Sequence, residues 1–303
     1  MIFLTGATGY VGAAISRRLT AAGRPLRCLV LPDDDAGPLE RLGAEVVRGD
    51  LTRHESFADA GEGITAVVHA AALMLPNPPD LVHKVNVEGT ANVLAFAQRW
   101  GARRLVYVSA VSAVYARKNS YGRSKEEAER RVRAAGLDFT ILRPTMVYGP
   151  GGGLHFQKLV SLVDGIPFVF PVLGPGTALL QPVHIDDLVD AVVGVLDTKD
   201  AIGRTYGVSG ATVLPFNELV RAVAAARHKR RRLVHAPLGL CMAAARVLAP
   251  ILGPGSFLTP DALLGVNEDA ALDSADLQRD SGYRPRPLAE GLAALFGAAS
   301  TGS

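Results

Sequence analysis

The chain begins with a short apolar run, Ile2-Phe3-Leu4-Thr5, and passes directly into Gly6-Ala7-Thr8-Gly9-Tyr10-Val11-Gly12. A helical pattern follows over Tyr10–Ala22. Three glycines at this spacing between a strand and a helix leave few folds open. Gly6 permits the tight turn, Gly9 lets backbone approach a pyrophosphate, and Gly12 lets the helix lie close against the strand. The helix start then supplies N–H groups with no partner and the positive end of the helix dipole. Gly6, Thr8, Gly9, Tyr10, Val11 and Gly12 are therefore the candidate cofactor contacts on this loop. A purely structural glycine turn is the competing reading, and the strand before and the helix after argue against it.

The first half continues the alternation. Leu26–Leu31, Glu45–Arg48, Ala66–His69, Leu105–Ser109 and Phe139–Leu142 are short runs rich in Val, Ile and Leu, as strands buried on both faces require. Helical patterns lie between them at His54–Ala60, Asp80–Trp100 and Ser120–Ala135, and Thr52-Arg53-His54-Glu55 has capping-box spacing. The expected fold is α/β: a doubly wound parallel sheet, a Rossmann fold, with right-handed crossovers. After Pro150, glycine and proline cluster. This predicts a dinucleotide-binding domain over 1–150, to which 183–208 returns, and a smaller substrate-binding lobe over 151–303. The tail Gly297–Ser303 reads as frayed. Asp33 lies 21 residues after Gly12 (33 − 12), near the spacing of an acid that binds a ribose hydroxyl. Asp33, Asp34 and Asp35 together would repel a 2′-phosphate, so NAD is expected, with NADP not excluded. A solvated acidic loop is the bland alternative.

Composition removes other classes. The 303 residues are 49% hydrophobic and 20% charged, enough for a substantial core. Two cysteines, Cys28 and Cys241, make no disulfide framework, and no CxxC or HExxH appears, so no metal site is expected. The net charge of 32 − 29 = +3 argues against nucleic acid as a partner. The opening MIFLTGATG has no basic n-region, and the apolar stretch Ala236–Leu252 is interrupted by Arg246 and Pro250. A cytoplasmic protein is expected.

Tyr121-Gly122-Arg123-Ser124-Lys125 places a tyrosine and a lysine four apart on one helix face. With TGATGYVG at the start, this YxxxK resembles the extended short-chain dehydrogenase/reductase family, the NAD-dependent epimerase/dehydratase group. The similarity continues through Gly49-Asp50-Leu51, His69-Ala70-Ala71, Val85–Thr90, Leu142–Pro144, Val147–Pro150, Val183–Asp187 and Gly282–Pro285. The resemblance implies that Tyr121 is the acid/base and that Lys125 contacts the nicotinamide ribose. It also implies that Asp50 and Leu51 flank the adenine, that Ala70 and Ala71 line the dinucleotide, that Asn86 pins the central helix, and that Pro144 lies by the carboxamide. The chemistry suits these residue types, because a neighbouring ammonium favours the phenolate of a group that ordinarily titrates near 10. His69 and His184 read as structural.

One position departs from the family. The hydroxyl expected just after the fifth strand falls on Ala110, within Val108-Ser109-Ala110-Val111-Ser112. Ser109 and Ser112 are the candidate replacements, although a shift of one residue reverses side-chain direction on a strand. This form resembles an atypical branch that includes proteins similar to the nucleotide-binding accessory subunit of respiratory complex I. Two functions follow: an NAD(P)-dependent oxidoreductase or epimerase acting on a secondary alcohol or ketone, and a cofactor-binding assembly or regulatory subunit with a degenerate site.

Nucleotide sugars and hydroxysteroid- or isoprenoid-like alcohols are both substrates of relatives. Arg143 and Arg204 are candidate phosphate contacts. The basic run Arg227-His228-Lys229-Arg230-Arg231-Arg232 precedes an apolar helical pattern. It reads as a phosphate contact, as weak peripheral attraction to an anionic membrane, or as a solvated helix end. Family resemblance further implies a homodimer through Asp80–Trp100 and Ser120–Ala135.

Overall fold

The computed structural model describes residues 1–252 and 259–297, with side chains described outside 249–252. Most of the expected tail, 298–303, lies outside the described residues. Six strands come first: β1 (Ile2–Thr5), β2 (Leu26–Val30), β3 (Glu45–Arg48), β4 (Ala66–His69), β5 (Arg104–Val108) and β6 (Asp138–Pro144). Much later the chain returns as β11 (Arg204–Val208), which pairs in parallel with β6. The sheet order is β11-β6-β5-β4-β1-β2-β3, and every pairing is parallel. Strand order reverses between β1 and β4, and ligands of such sheets bind beyond the carboxyl ends of those strands.

Helices cover both faces. One core packs α1 (Tyr10–Ala21) and α7 (Ile185–Leu196) on the sheet through Ile15, Leu19, Leu188, Val192 and Val195. The other packs α4 (Gly89–Arg99) and α5 (Ser120–Ala134) through Val93, Phe96, Ala128 and Val132. Two short helices, α2 (Gly37–Arg41) and α3 (Pro79–His83), complete this half, and a π-helical turn at Lys84–Glu88 joins α3 to α4. The pattern read as one helix over Asp80–Trp100 is thus helical throughout Pro79–Arg99, with a π-helical turn in its middle.

The helix expected over His54–Ala60 is a single 3₁₀ turn, His54–Ser56. The capping residues bond elsewhere. Asp50 Oδ1 accepts from the Thr52 amide at 2.8 Å and its hydroxyl at 2.9 Å, and Ser56 Oγ accepts from the Asp50 amide at 2.9 Å. Side chains that satisfy backbone locally compete with the helix.

Beyond Pro150 a third core forms around α6 (Leu154–Gly165) and α8 (Phe216–Ala226). Three small ladders frame it: β7 (Val147–Tyr148) with β10 (Val183–His184), β9 (Leu179–Leu180) with β12 (Leu214–Pro215), and β8 (Val169–Leu173) with β13 (Arg232–Ala236). The remaining helices are α9 (Leu238–Leu252), α10 (Pro260–Leu263), α11 (Ala275–Ser281) and α12 (Leu288–Gly297).

Arg104 fastens the far side of the sheet. Its guanidinium donates to the Val195 and Leu196 carbonyls at the end of α7 (2.5 and 3.0 Å), the Asp138 carbonyl (2.6 Å) and Thr140 Oγ1 (2.8 Å). A cation on terminal carbonyls also complements the helix dipole. Replacing it removes all four of these bonds and the charge at the end of α7. Arg104→Met is expected to lower stability by about 3 kcal/mol, read as a fall in denaturant midpoint with unchanged slope.

Candidate active site

At the switch point the glycines are sterically required. Gly6 holds φ +74°, and a Cβ there would stand 2.6 Å from the Ala71 nitrogen. A Cβ on Gly12 would stand 2.0 Å from the Gly6 carbonyl oxygen. Gly9 caps α1 without offering a side chain, so the first amides of α1, those of Tyr10 and Val11 included, keep no side-chain partner. This cradle suits a pyrophosphate. Tyr10 itself turns away: its ring fills the space over Gly152, and its hydroxyl is buried with no hydrogen-bond partner.

At the adenosine end, β2 stops at Val30 and Leu31 follows, exposed. Thr8 Oγ1 donates to Asp34 Oδ2 at 2.7 Å, so Asp34, rather than the expected Asp33, reaches the loop. Asp33 is exposed. Arg48 orders this turn by donating to the carbonyls of Leu31, Pro32 and Asp34 at 3.0, 3.2 and 2.6 Å. Sequence reasoning missed Asp34 and Arg48. With the guanidinium spent on carbonyls and a carboxylate at the mouth, the residues present fit a free ribose hydroxyl better than a 2′-phosphate. Asp50 sits in its local turn with Thr52, and Leu51 is buried against Gly89.

A hydrogen-bonded chain runs from the cradle to α5. The Ala71 amide donates to Thr5 Oγ1 (3.3 Å), which meets His69 Nδ1 at 2.6 Å. His69 Nε2 meets Thr90 Oγ1 at 2.9 Å, and that hydroxyl donates to the Asn86 carbonyl at 2.6 Å. Thr90 has spent its proton on Asn86, so it accepts from Nε2–H. Nδ1 is then bare and accepts from Thr5. Burial pushes the His69 pKa down to about 3, which keeps the ring neutral as this arrangement demands. The Asn86 side chain accepts from the Leu73 amide (2.7 Å) and donates to the Leu73 carbonyl (3.0 Å) and to Ser124 Oγ (2.9 Å). Ser124 in turn donates to the Tyr121 carbonyl at 2.8 Å. Ala70 follows β4 directly, its amide bonded to the Thr5 carbonyl. Pro144 ends β6 and is buried.

Helix α5 is capped by Asn119, whose Oδ1 accepts from the Gly122 amide at 2.8 Å. Gly122 lies so close to the Ser112 carbonyl that a Cβ would come within 2.7 Å. Tyr121 is half-buried, and its hydroxyl makes no hydrogen bond among the described residues; burial pushes its pKa up to about 12. Lys125 is 1% exposed. Its ammonium donates to the Val108 carbonyl at 2.7 Å and lies 4.3 Å from the Tyr107 ring centroid. Burial brings its pKa down to about 7, while Glu129 opposes the shift.

The two candidate serines are held differently. Ser109 donates its hydroxyl to Glu129 Oε1 at 2.6 Å. Glu129 is also gripped by Arg143 through Nε (2.8 Å) and Nη2 (2.6 Å), and by Arg133 at 2.8 Å. Ser112 Oγ is buried and has no hydrogen-bond partner among the described residues. The phosphate role considered for two arginines does not fit. The Arg143 fork is filled by Glu129, and Arg204 begins β11, at the end of the sheet opposite the site. The basic run likewise sits at the far end of α6 from the Gly149–Gly153 loop, where Arg227 pairs with Asp164 and Arg231 donates to the Val163 carbonyl.

Beside the N-terminus of α5, the loop after β4 and the start of α10 enclose a cavity of about 320 Å³. Leu75, Pro76, Pro78, Pro79 and Pro260 give it an apolar wall. Asp261 joins it to α5 by accepting from the Ser120 amide at 2.9 Å and the Ser120 hydroxyl at 2.5 Å.

Comparison with known proteins agrees with this geometry. The chain is 31% identical to a UDP-glucose 4-epimerase of Vibrio cholerae over 75% of its own length and 76% of the relative's. It is 28% identical to a ceramide reductase of Caulobacter vibrioides over 98% of its length and 90% of the relative's. The crystal structure of gox2253 superposes with a TM-score of 0.80 at 26% identity, covering 100% of this chain and 99% of that one. Residues 2–209 match the family model "NAD dependent epimerase/dehydratase family". The chain belongs to that NAD-dependent family, within the extended short-chain dehydrogenase/reductases.

Proposed function

We propose that the protein is an NAD-dependent oxidoreductase that interconverts a secondary alcohol and its ketone on an aliphatic, weakly polar substrate, with Tyr121 as acid/base. The observation that carries this reading is the unbroken chain Thr5–His69–Thr90–Asn86–Ser124, which ties the dinucleotide cradle to the turn bearing Tyr121. Such a chain fixes the two reacting partners in one frame, and positioning of this kind is a large part of catalysis.

The loop Gly6–Gly12 and the first amides of α1 would hold the pyrophosphate, Asp34 with Asp33 the adenosine ribose, Asp50 and Leu51 the adenine edge, and Lys125 the nicotinamide ribose. Ala70 and Ala71 would line the dinucleotide, Asn86 would brace the helix before α4, and Pro144 would lie by the carboxamide. NAD held there would supply the hydride acceptor or donor for the reaction. Tyr121 handles the proton at the substrate oxygen. A phenol with its pKa near 12 keeps its proton at neutral pH, so in the free protein it is set to give that proton to a developing alkoxide, the direction of reduction. Lys125 in its ammonium form draws Tyr121 back toward ionisation when the reaction runs the other way. Ser112, whose hydroxyl no protein group occupies, supplies the second contact to the substrate oxygen that Ala110 cannot.

The substrate class rests on the apolar cavity beside α5 and on the absence of a free arginine at the positions considered for a diphosphate. The ceramide reductase relative, which the chain matches over nearly its whole length, is consistent with it. The rival reading, a cofactor-binding subunit without turnover, draws on Ala110 alone.

Tyr121→Phe is expected to abolish turnover of a long-chain ketone while NAD binding by calorimetry is retained. Ser112→Ala should lower kcat by about 10²-fold, with Ser109→Ala lowering stability rather than the chemical step. Full activity in Tyr121→Phe, or the reverse order for the two serines, would overturn these assignments.

Lys125 gives a second test. Its folded pKa of about 7 lies below the ordinary 10.5. The unfolded chain therefore holds a proton that the folded chain has lost between pH 7 and 10.5. Stability rises with pH across that window and is flat below it. Lys125→Met removes the penalty and is expected to unfold at higher denaturant at pH 6, by roughly 2 kcal/mol after the lost hydrogen bond is counted. The variant should be inactive in the direction of oxidation, which needs the ammonium to draw Tyr121 toward ionisation.

A further inference from the structure

Between Leu219 and Pro260 the sequence holds seven Lys and Arg and no Asp or Glu, within a chain of net charge only +3. Arg227 and Arg231 are engaged by Asp164 and the Val163 carbonyl. Lys229, Arg230, Arg232 and Arg246 are exposed and make no ion pair among the described residues.

Apolar groups stand out beside them. Phe168 is 82% exposed and holds φ 63°, a left-handed conformation that a phenylalanine adopts at a cost. Its carbonyl accepts from the Arg232 amide at 2.8 Å, so the exposed ring and the basic run share one corner. On the outer face of the β8–β13 ladder, Pro171 and Val234 are paired and both exposed, Val234 at 50%. Pro237 then leads into α9. There Leu240, Ala243, Ala244 and Val247 recur at i, i+3, i+4 and i+7 and are all exposed, Leu240 at 69% and Val247 at 70%. Ala245, on the opposite side, is fully buried. A helix of a soluble protein turns its apolar stripe inward. This one is apolar on both sides: Leu238, Cys241, Met242 and Ala245 are half-buried or buried, and Leu240 and Val247 remain apolar on the side that faces out.

We propose that Phe168, the outer face of β8–β13 and α9 form a docking surface for an anionic lipid bilayer. Phe168 and the outward stripe of α9 enter the boundary between headgroups and acyl chains, and Lys229, Arg230 and Arg232 meet the lipid phosphates. Charge complementarity selects this occupant. A second copy meeting the same face would set one cationic corner against another. The attachment is peripheral: among the described residues no helix is long and apolar enough to cross a membrane. The inference does not depend on the identity of the substrate or on turnover.

Co-sedimentation of the full chain with vesicles tests it, using phosphatidylcholine alone and phosphatidylcholine mixed with phosphatidylglycerol. Binding is expected only to the mixed vesicles and should fall steeply as salt is raised. Lys229→Gln, Arg230→Gln and Arg232→Gln combined should weaken partitioning on the order of 100-fold. Phe168→Ser, and separately Leu240→Ser with Val247→Ser, should weaken it at low salt as well. All of these sites are exposed, so thermal unfolding and NAD binding should match wild type and exclude misfolding as the cause. Absence of binding to the mixed vesicles at low salt, or a charge-neutralised variant that binds like wild type, would overturn the proposal. So would light scattering that shows a dimer which Leu240→Ser with Val247→Ser dissociates while vesicles are ignored, for the face would then belong to a second copy.

Discussion

An ammonium with almost no exposure to solvent is the constraint around which the site is organised. Moving a lysine out of water disfavours its charge, and Lys125 shows this in a pKa brought down to about 7. Two things keep the charge within reach: the Val108 carbonyl at 2.7 Å and the face of Tyr107 at 4.3 Å. Both come from the end of β5, so the lysine is placed by the sheet as much as by its own helix. Glu129, one turn further along α5, opposes the loss of charge. Its own carboxylate is held down by Arg143, Ser109 and Arg133 despite its burial. The polar network beneath α5 thus surrounds a carboxylate that would otherwise be costly to bury beside a lysine that would otherwise be neutral.

The same logic explains why the central sheet can tolerate so many polar atoms at the carboxyl ends of its strands. His69 is completely enclosed, yet each ring nitrogen has one partner, and only one assignment of protons satisfies Thr5, Thr90 and Asn86 together. A network with a single consistent proton direction is rigid, because reversing any member strands another. That rigidity fixes the distance between the glycine loop and Tyr121.

Much of this was legible in the chain because the chemistry admits few alternatives. Gly6 and Gly12 have no room for a Cβ, so the loop announces itself. Apolar runs doubly buried in a parallel sheet read as strands, and all six early strands lie within a residue or two of their expected ends. What failed was decided by contacts distant in sequence. The His54–Ala60 pattern became a turn because Asp50, Thr52 and Ser56 satisfy one another first. Ser109 and Ser112 look alike in sequence; Glu129, twenty residues beyond Ser109, distinguishes them by occupying one hydroxyl. Spacing singled out Asp33 alone; Arg48, from the next strand, sets the turn that brings Asp34 to the loop as well. Arg143 reads as a free cation until its carboxylate partner is located.

The helix α9 shows the converse case. Its apolar residues run round both sides, so spacing alone does not say which of them meet the core and which face out. The charge pattern carries the missing direction. A segment with seven cations and no anion has few internal partners, so it stays at the surface, and an apolar helix attached to it is held there too. The half built on the parallel sheet is insulated from this choice: α6 separates the basic corner from the Gly149–Gly153 loop by twelve helical residues, about 18 Å. Over that distance exposed charges are screened at physiological salt. The second lobe can therefore bear a strongly cationic edge without disturbing the balance of charge between Lys125 and Glu129.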